Sequence, residues 1–183
     1  MMSMDKEKEM MRLLSNEATV RQGFEMLVGL YSERLYWQVR RIVFSHEDAS
    51  DVVQNAFIKA WLNLGDFENK SKISTWLSRI AINESLDFLR KKQKLSGISA
   101  DEDMTVANKL MADEYFDGDE VQAQLQEAIS QLPDVQRTVF SLRYYDEMKY
   151  SEISKILGTS EGALKASYHL AVKKIEEFFN KHD

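Results

Sequence analysis

Residues 150–169 read YSEISKILGTSEGALKASYH, and this stretch decides the fold. A helix-turn-helix needs a small residue where its second helix crosses its first. It also needs a turn residue able to take positive φ four positions later, and an apolar residue facing back from the second helix. Ser154, Gly158 and Leu164 meet these needs in order, with Ile153, Ile156 and Leu157 as core. Ser160 is placed to cap the second helix, whose first turns then enter the major groove. A purely structural helical hairpin shows the same helix–glycine–helix pattern. The polar second helix, with Lys165, Ser167, His169, Lys173 and Lys174, favours DNA.

Upstream, Leu132-Pro133 opens a helix that continues through Val135, Val139, Leu142 and Arg143 and ends near Asp146, proline suiting a first-turn position. Leu125 and Ile129 mark a short helix before it. In the first half of the chain, Phe24, Leu27, Val28, Tyr31, Leu35, Val39, Ile42 and Val43 recur at three- and four-residue steps. Ser45 followed by Asp48 is a capping-box pattern, and a second stripe of Ala49, Val52, Val53, Ala56, Phe57, Ala60, Trp61 and Leu64 is closed by Gly65. A third helix passes through Ile73, Leu77, Ile80, Ala81 and Phe88 and runs out into Arg90-Lys91-Lys92-Gln93-Lys94. No segment alternates with a period of two, so the expected fold is all-α.

Charge divides the chain. Its net charge of −6 is +2 over residues 1–94, −7 over residues 95–120 and −1 over residues 121–183. The acidic stretch begins after Leu95 with Ser96-Gly97 and has no sustained apolar period, which predicts a flexible linker between two small helical domains. The expected division is an N-terminal extension at 1–21, a first domain at 22–94, the acidic linker at 95–120 and a helix-turn-helix domain at 121–183. The chain has no cysteine and only three scattered histidines, His46, His169 and His182. A disulfide framework, a thiolate or histidine metal site and a nucleophile–base pair are therefore not expected, nor are an enzyme and a cofactor. The first residues mix both charge signs, and no stretch reaches the roughly 20 apolar residues of a membrane span, so a cytoplasmic protein without membrane insertion is expected.

Two blocks together resemble one family. Asp48 to Trp61, DASDVVQNAFIKAW, resembles the sigma-factor segment that binds core RNA polymerase. Ser74 to Asn83, STWLSRIAIN, followed by Asp87, Leu89 and Arg90, resembles the segment that opens and reads the downstream promoter element. Leu132-Pro133, Gln136-Arg137, Val139-Phe140, Leu142-Arg143-Tyr144, the helix-turn-helix and Lys173-Lys174-Ile175 are similar to the domain that reads the upstream, minus-thirty-five element. The likeness covers residues 22–94 and 121–179 in the right order, with no room for the further domains of primary sigma factors. The chain is thereby identified as a member of the extracytoplasmic-function group of the sigma-seventy superfamily. That family commonly has arginine where Ser167 stands and often where Leu170 stands.

The resemblance implies a sigma factor whose partners are RNA polymerase core, promoter DNA and, in the family, an anti-sigma factor. Polymerase is expected at Asp51, Gln54, Asn55, Phe57 and Trp61, although Val53, Phe57 and Trp61 also read as core. Strand opening needs amides for base edges, cations for phosphate and a wedge. Arg79, Asn83, Arg90, Lys91 and Lys92 fit these roles with the loop from Phe67 to Ser74, and Trp76 reads equally as wedge or core. Asp87 is expected to orient Arg90 or Lys91. The upstream element is expected at Ser160, Glu161, Gly162, Lys165, Ser167, Tyr168, His169 and Lys173, with plain solvent exposure the rival reading for His169. A stand-alone helix-turn-helix regulator with a sensing N-terminal domain is the alternative. It calls for a ligand pocket or phosphoacceptor pattern in residues 1–94, and the sequence there shows neither.

Overall fold

The computed structural model describes residues 4–95, 106–114 and 116–182. Among these residues nine α-helices follow one another: α1 Met4–Leu14, α2 Val20–Val43, α3 His46–Leu62, α4 Ile73–Leu95, α5 Val106–Met111, α6 Glu120–Ser130, α7 Asp134–Tyr144, α8 Tyr150–Leu157 and α9 Glu161–His182. A 3₁₀ turn at Leu64–Asp66 follows α3. The chain is all-α, as the periodicity predicts.

Local chemistry sets the helix ends. Ser45 is extended and its hydroxyl accepts the Asp48 N–H, starting α3. Gly158 adopts φ +67, and its N–H donates to the Ser154 carbonyl at 2.8 Å, ending α8. The Ser160 hydroxyl accepts the Ala163 N–H at 3.3 Å and caps α9. Asp119 and Gln122 form a reciprocal capping box that starts α6, so one residue of the acidic stretch has a structural task. Gly65 does not close α3. The helix stops at Leu62, where the Asn63 side-chain amide donates back to the Lys59 carbonyl at 2.8 Å.

Helices α1 to α4 form a bundle around Leu27, Tyr31, Leu35, Val39, Val52, Ala56, Leu77, Ala81 and Ile82. The N-terminal segment belongs to it, because Met10 is fully buried in the same core. The Thr19 hydroxyl donates to the Leu13 carbonyl at 2.8 Å and ties the end of α1 to the start of α2. Gly23 lets the two helices approach, since a Cβ there would lie 2.8 Å from the Leu14 backbone nitrogen.

Helices α6, α7 and α9 enclose Ala128, Ile129, Leu132, Phe140, Ala171, Ile175 and Phe178. The second core is not isolated from the first. Val139, Leu142, Met148, Ile153, Ile156 and Leu164 are continuous with the core of the first bundle. Helix α8 packs on α4, and α7 packs on α2.

The connecting segment, expected as a flexible linker, carries one short helix. Residues 106–111 are helical, and Ala107 and Leu110 pack on Ala123 of α6. Six residues with two buried positions are too short to register as a period. Residues 96–105 of that linker lie outside the described residues.

Candidate functional site

Three faces of the scaffold carry the expected side chains. On α3, burial of Val52, Val53, Ala56, Phe57 and Ala60 turns Asp51, Gln54 and Asn55 outward. Phe57 is only 9% exposed and meets Phe24 edge-on at 6.4 Å, so its ring packs in the core. Trp61 is 43% exposed, with its ring 5.1 Å from that of Phe24. The exposed apolar surface here comes instead from Ile58 and Leu62, 57% and 73% exposed. Gln54, Ile58 and Leu62 follow at four-residue spacing, a signal present in the sequence but obscured by the larger aromatic rings. Beside this stripe runs a shallow groove between α2 and α3, lined by Ser32, Glu33, Tyr36, Ser50, Val53 and Gln54.

The groove has a braced floor. The Tyr36 hydroxyl lies 2.7 Å from His46 Nδ1 and accepts from Arg40 Nη1 at 2.6 Å. Arg40, buried to 4% exposure, also donates from Nε to the Phe44 carbonyl and pairs with Asp113 of the connecting segment. Lys59 pairs with Glu84 and fastens α3 to α4.

On α4, one face packs on α2 and another on α3, leaving Arg79, Asn83, Arg90 and Lys91 exposed on a polar stripe. Arg90 pairs with Asp87 at 3.1 Å, the partner expected from i,i+3 spacing. Lys92 is exposed and reaches Asp48 at 3.1 Å, at the start of α3. Trp76 is half-buried, its ring 5.2 Å from that of Phe67 and tilted by 46°. The loop before α4 is thus anchored by an aromatic pair, while Glu68, Asn69, Lys70 and Lys72 remain exposed.

On α9, burial of Leu164, Ala171, Ile175 and Phe178 fixes the helix rotation. Glu161, Gly162, Lys165, His169 and Lys173 face solvent with Ser160, and Ser167 is half-buried. Tyr168 turns inward: its ring stacks on Phe140 at 5.6 Å and meets Tyr150 at 6.5 Å, and burial raises its hydroxyl pKa. It is half-buried, so part of the ring packs while the rest stays at the surface. The sequence reading missed Tyr150. The Arg143 guanidinium lies 5.0 Å and the Lys165 ammonium 5.8 Å from its ring, so one aromatic side chain meets two cations beside the start of α9. Arg143 is braced further by its bond to the Met148 carbonyl at 3.0 Å.

Sigma-70 region 2 matches residues 27–95, and sigma-70 region 4 matches residues 122–175. The chain is 34% identical over 156 residues to the ECF RNA polymerase sigma factor SigW of Bacillus subtilis, covering 80% of this chain and 83% of that one. It is 29% identical over 173 residues to the RNA polymerase sigma-H factor of Pseudomonas aeruginosa, covering 86% of each. Two solved structures share the fold with a TM-score of 0.69. One is the sigma factor RpoE in complex with the anti-sigma factor NepR from Bartonella quintana, at 22% identity and covering 86% of this chain and 96% of that one. The other is CnrH in complex with the cytosolic domain of CnrY, at 20% identity and covering 97% and 99%.

Proposed function

We propose, because this chain belongs to the sigma-70 family and to its extracytoplasmic-function group, an assignment of its exposed faces to the steps of transcription initiation. The protein is a sigma factor: it binds RNA polymerase core and directs promoter recognition, DNA melting and initiation. It works by binding and positioning, in the cytoplasm with the polymerase, and takes no catalytic part. Among the described residues no helix is long and apolar enough to cross a membrane.

In this assignment residues 22–94 act as the polymerase and downstream-element domain, and residues 121–183 read the upstream element. The polymerase surface is Asp51, Gln54 and Asn55 with Trp61, Ile58 and Leu62, an apolar strip with a polar rim. Asn83, Arg79 and the tail from Arg90 to Lys92 receive the opened strand, with Trp76 and Phe67 shaping the approach. Ser160, Glu161, Gly162, Lys165, Ser167, His169 and Lys173 take the upstream element. An anti-sigma factor is a further proposed partner.

The carrying observation is the α8–α9 pair. Gly158 at positive φ and the Ser160 cap direct the first turns of α9 outward, on the same chain as the exposed stripe of α3. Transcription in vitro tests the reading, using core polymerase with and without this protein on promoter DNA selected from the host genome. Specific transcripts are expected only when the protein is present. Tight, specific DNA binding by the chain alone, with no stimulation of polymerase, would favour the stand-alone regulator.

A further inference from the structure

The outward face of α9 is divided lengthwise. Burial of Leu164, Ala171, Ile175 and Phe178 turns the opposite side of the helix to solvent. There Ala163, Ala166 and Leu170 follow at three- and four-residue steps, and all three are exposed. Leu170 is the large member of this strip, 46% exposed in the middle of a polar helix. Lys165, His169 and Lys173 run along one side of it. Lys174 stands on the other side, where its ammonium donates to the Gln136 side chain of α7 at 3.0 Å. No acidic residue occurs from Gly162 to Ile175, and Glu177 follows Leu170 only after two further turns.

An apolar strip with lysines on both sides fits a groove with charged walls and methyl groups on its floor. Duplex DNA supplies phosphate charge on either side of its grooves. In the major groove thymine alone presents an apolar group, its C5 methyl, and apolar side chains are the ones that meet it. Leucine has no hydrogen-bonding group. Position 170 therefore cannot select guanine or adenine by the paired bonds that arginine, lysine, asparagine or glutamine make. The first turn of the helix is also bare. A Cβ at Gly162 would meet no atom within 4 Å, so packing does not call for glycine there, and its absence lets a partner come close to the backbone.

We propose that Leu170, with Ala166 and Ala163, reads thymine methyl groups in the upstream element, so that this part of the promoter is selected by apolar contact. The proposal rests on the sigma-factor reading and adds the chemistry of base selection to it. It also bounds the positions read. From Ala163 to Leu170 the helix rises about 10 Å, which spans about three base steps. The methyl-sensitive thymines should therefore fall within one short run of the element, on either strand.

Deoxyuridine tests this, because it removes the methyl and keeps every hydrogen-bonding group of thymine. Holoenzyme formed from core polymerase and the full chain is titrated with promoter duplexes in which each thymine of the upstream element is replaced in turn. One or two neighbouring replacements should weaken binding by about fourfold each, the value for burying one methyl-sized group. The exposed Leu170 side chain can be cut back without touching the core, so Leu170→Ala should fold as the parent does. With that variant the thymine and deoxyuridine duplexes should bind nearly alike, and Leu170→Asn should shift preference towards adenine at the same position. Parent binding that ignores every replacement overturns the proposal, as does methyl sensitivity that survives intact in Leu170→Ala. Equal loss of transcription by Leu170→Ala on both kinds of template overturns it too, and places Leu170 against a protein surface. Transcription by the parent on unmodified DNA is read in parallel. Its absence removes the sigma-factor reading and this proposal with it, whereas normal transcription without methyl dependence removes the proposal alone.

Discussion

Ser78 of α4 donates a hydrogen bond of 3.0 Å to the side-chain oxygen of Gln38 on α2, and each residue is only 1% exposed. This bond fixes the rotation of α4 in its apolar bed, so that the neighbouring Arg79 and, one turn on, Asn83 point to solvent. Ser78→Ala leaves the Gln38 oxygen buried without its donor and should cost about 1–3 kcal/mol of folding stability. Urea denaturation of the two proteins checks it; equal midpoints would show that the bond does not hold the helix.

Asn83→Ala removes an exposed amide and nothing from the core. Its stability should stay within about 0.5 kcal/mol of the parent. Open-complex formation should fall while polymerase recruitment persists. Permanganate reactivity of promoter thymines separates the two steps, and normal reactivity with the variant removes Asn83 from strand opening.

Gln54→Ala with Ile58→Ala should weaken binding to polymerase core by about 2 kcal/mol, roughly thirtyfold, with unchanged helicity. Phe57→Ala on the same helix should act differently. Its ring is in the core, so truncation should cost about 3–5 kcal/mol of stability. Affinity titrations paired with thermal melts read the contrast. A stable Phe57→Ala chain that fails to bind core polymerase would return Phe57 to the interface.

Gly158→Ala places a side chain at φ +67, where no atom lies within 4 Å of a built Cβ. The expected cost of about 1–2 kcal/mol is therefore backbone strain without steric conflict. Thermal denaturation should show a lowered midpoint, and an equally stable alanine variant would mean that the turn had relaxed to another conformation.

Lys165→Ala removes one of the two cations that meet the Tyr150 ring. If Lys165 meets phosphate, binding to all upstream sequences should weaken alike, and the salt slope should fall by about 1. Competition binding of the holoenzyme over a salt series reads the slope, and an unchanged slope with altered sequence preference would place Lys165 on a base instead.

Much of this architecture is legible in the sequence because it is local. Ser45, Gly158 and Ser160 announce helix ends through chemistry within four residues, and the spacing of Val52, Val53, Ala56 and Ala60 already turns Asp51 and Gln54 outward. The same spacing places Phe57 inside, and its expected surface role comes from the family resemblance alone. Helix α5 escapes notice because its stability comes from Ala123, beyond its own six residues. Tyr168 shows only as an aromatic residue on a polar helix until Phe140 is brought beneath it. The Arg41–Asp146 ion pair joins α2 to the residues after α7, and single charged residues carry no periodic signal of burial.

The continuity of apolar packing from Leu77 and Ile82 to Ile153 and Ile156 constrains how the chain tolerates exchange of its parts. Grafting a helix-turn-helix from a relative onto residues 4–95 alters more than promoter preference. The incoming segment must also present a surface that fits α2 and α4 as they stand here. A graft that fits badly exposes apolar surface to aggregation. For chimaeric transcription factors built on this scaffold, compatibility across the inner surface is therefore a separate design variable from the choice of promoter.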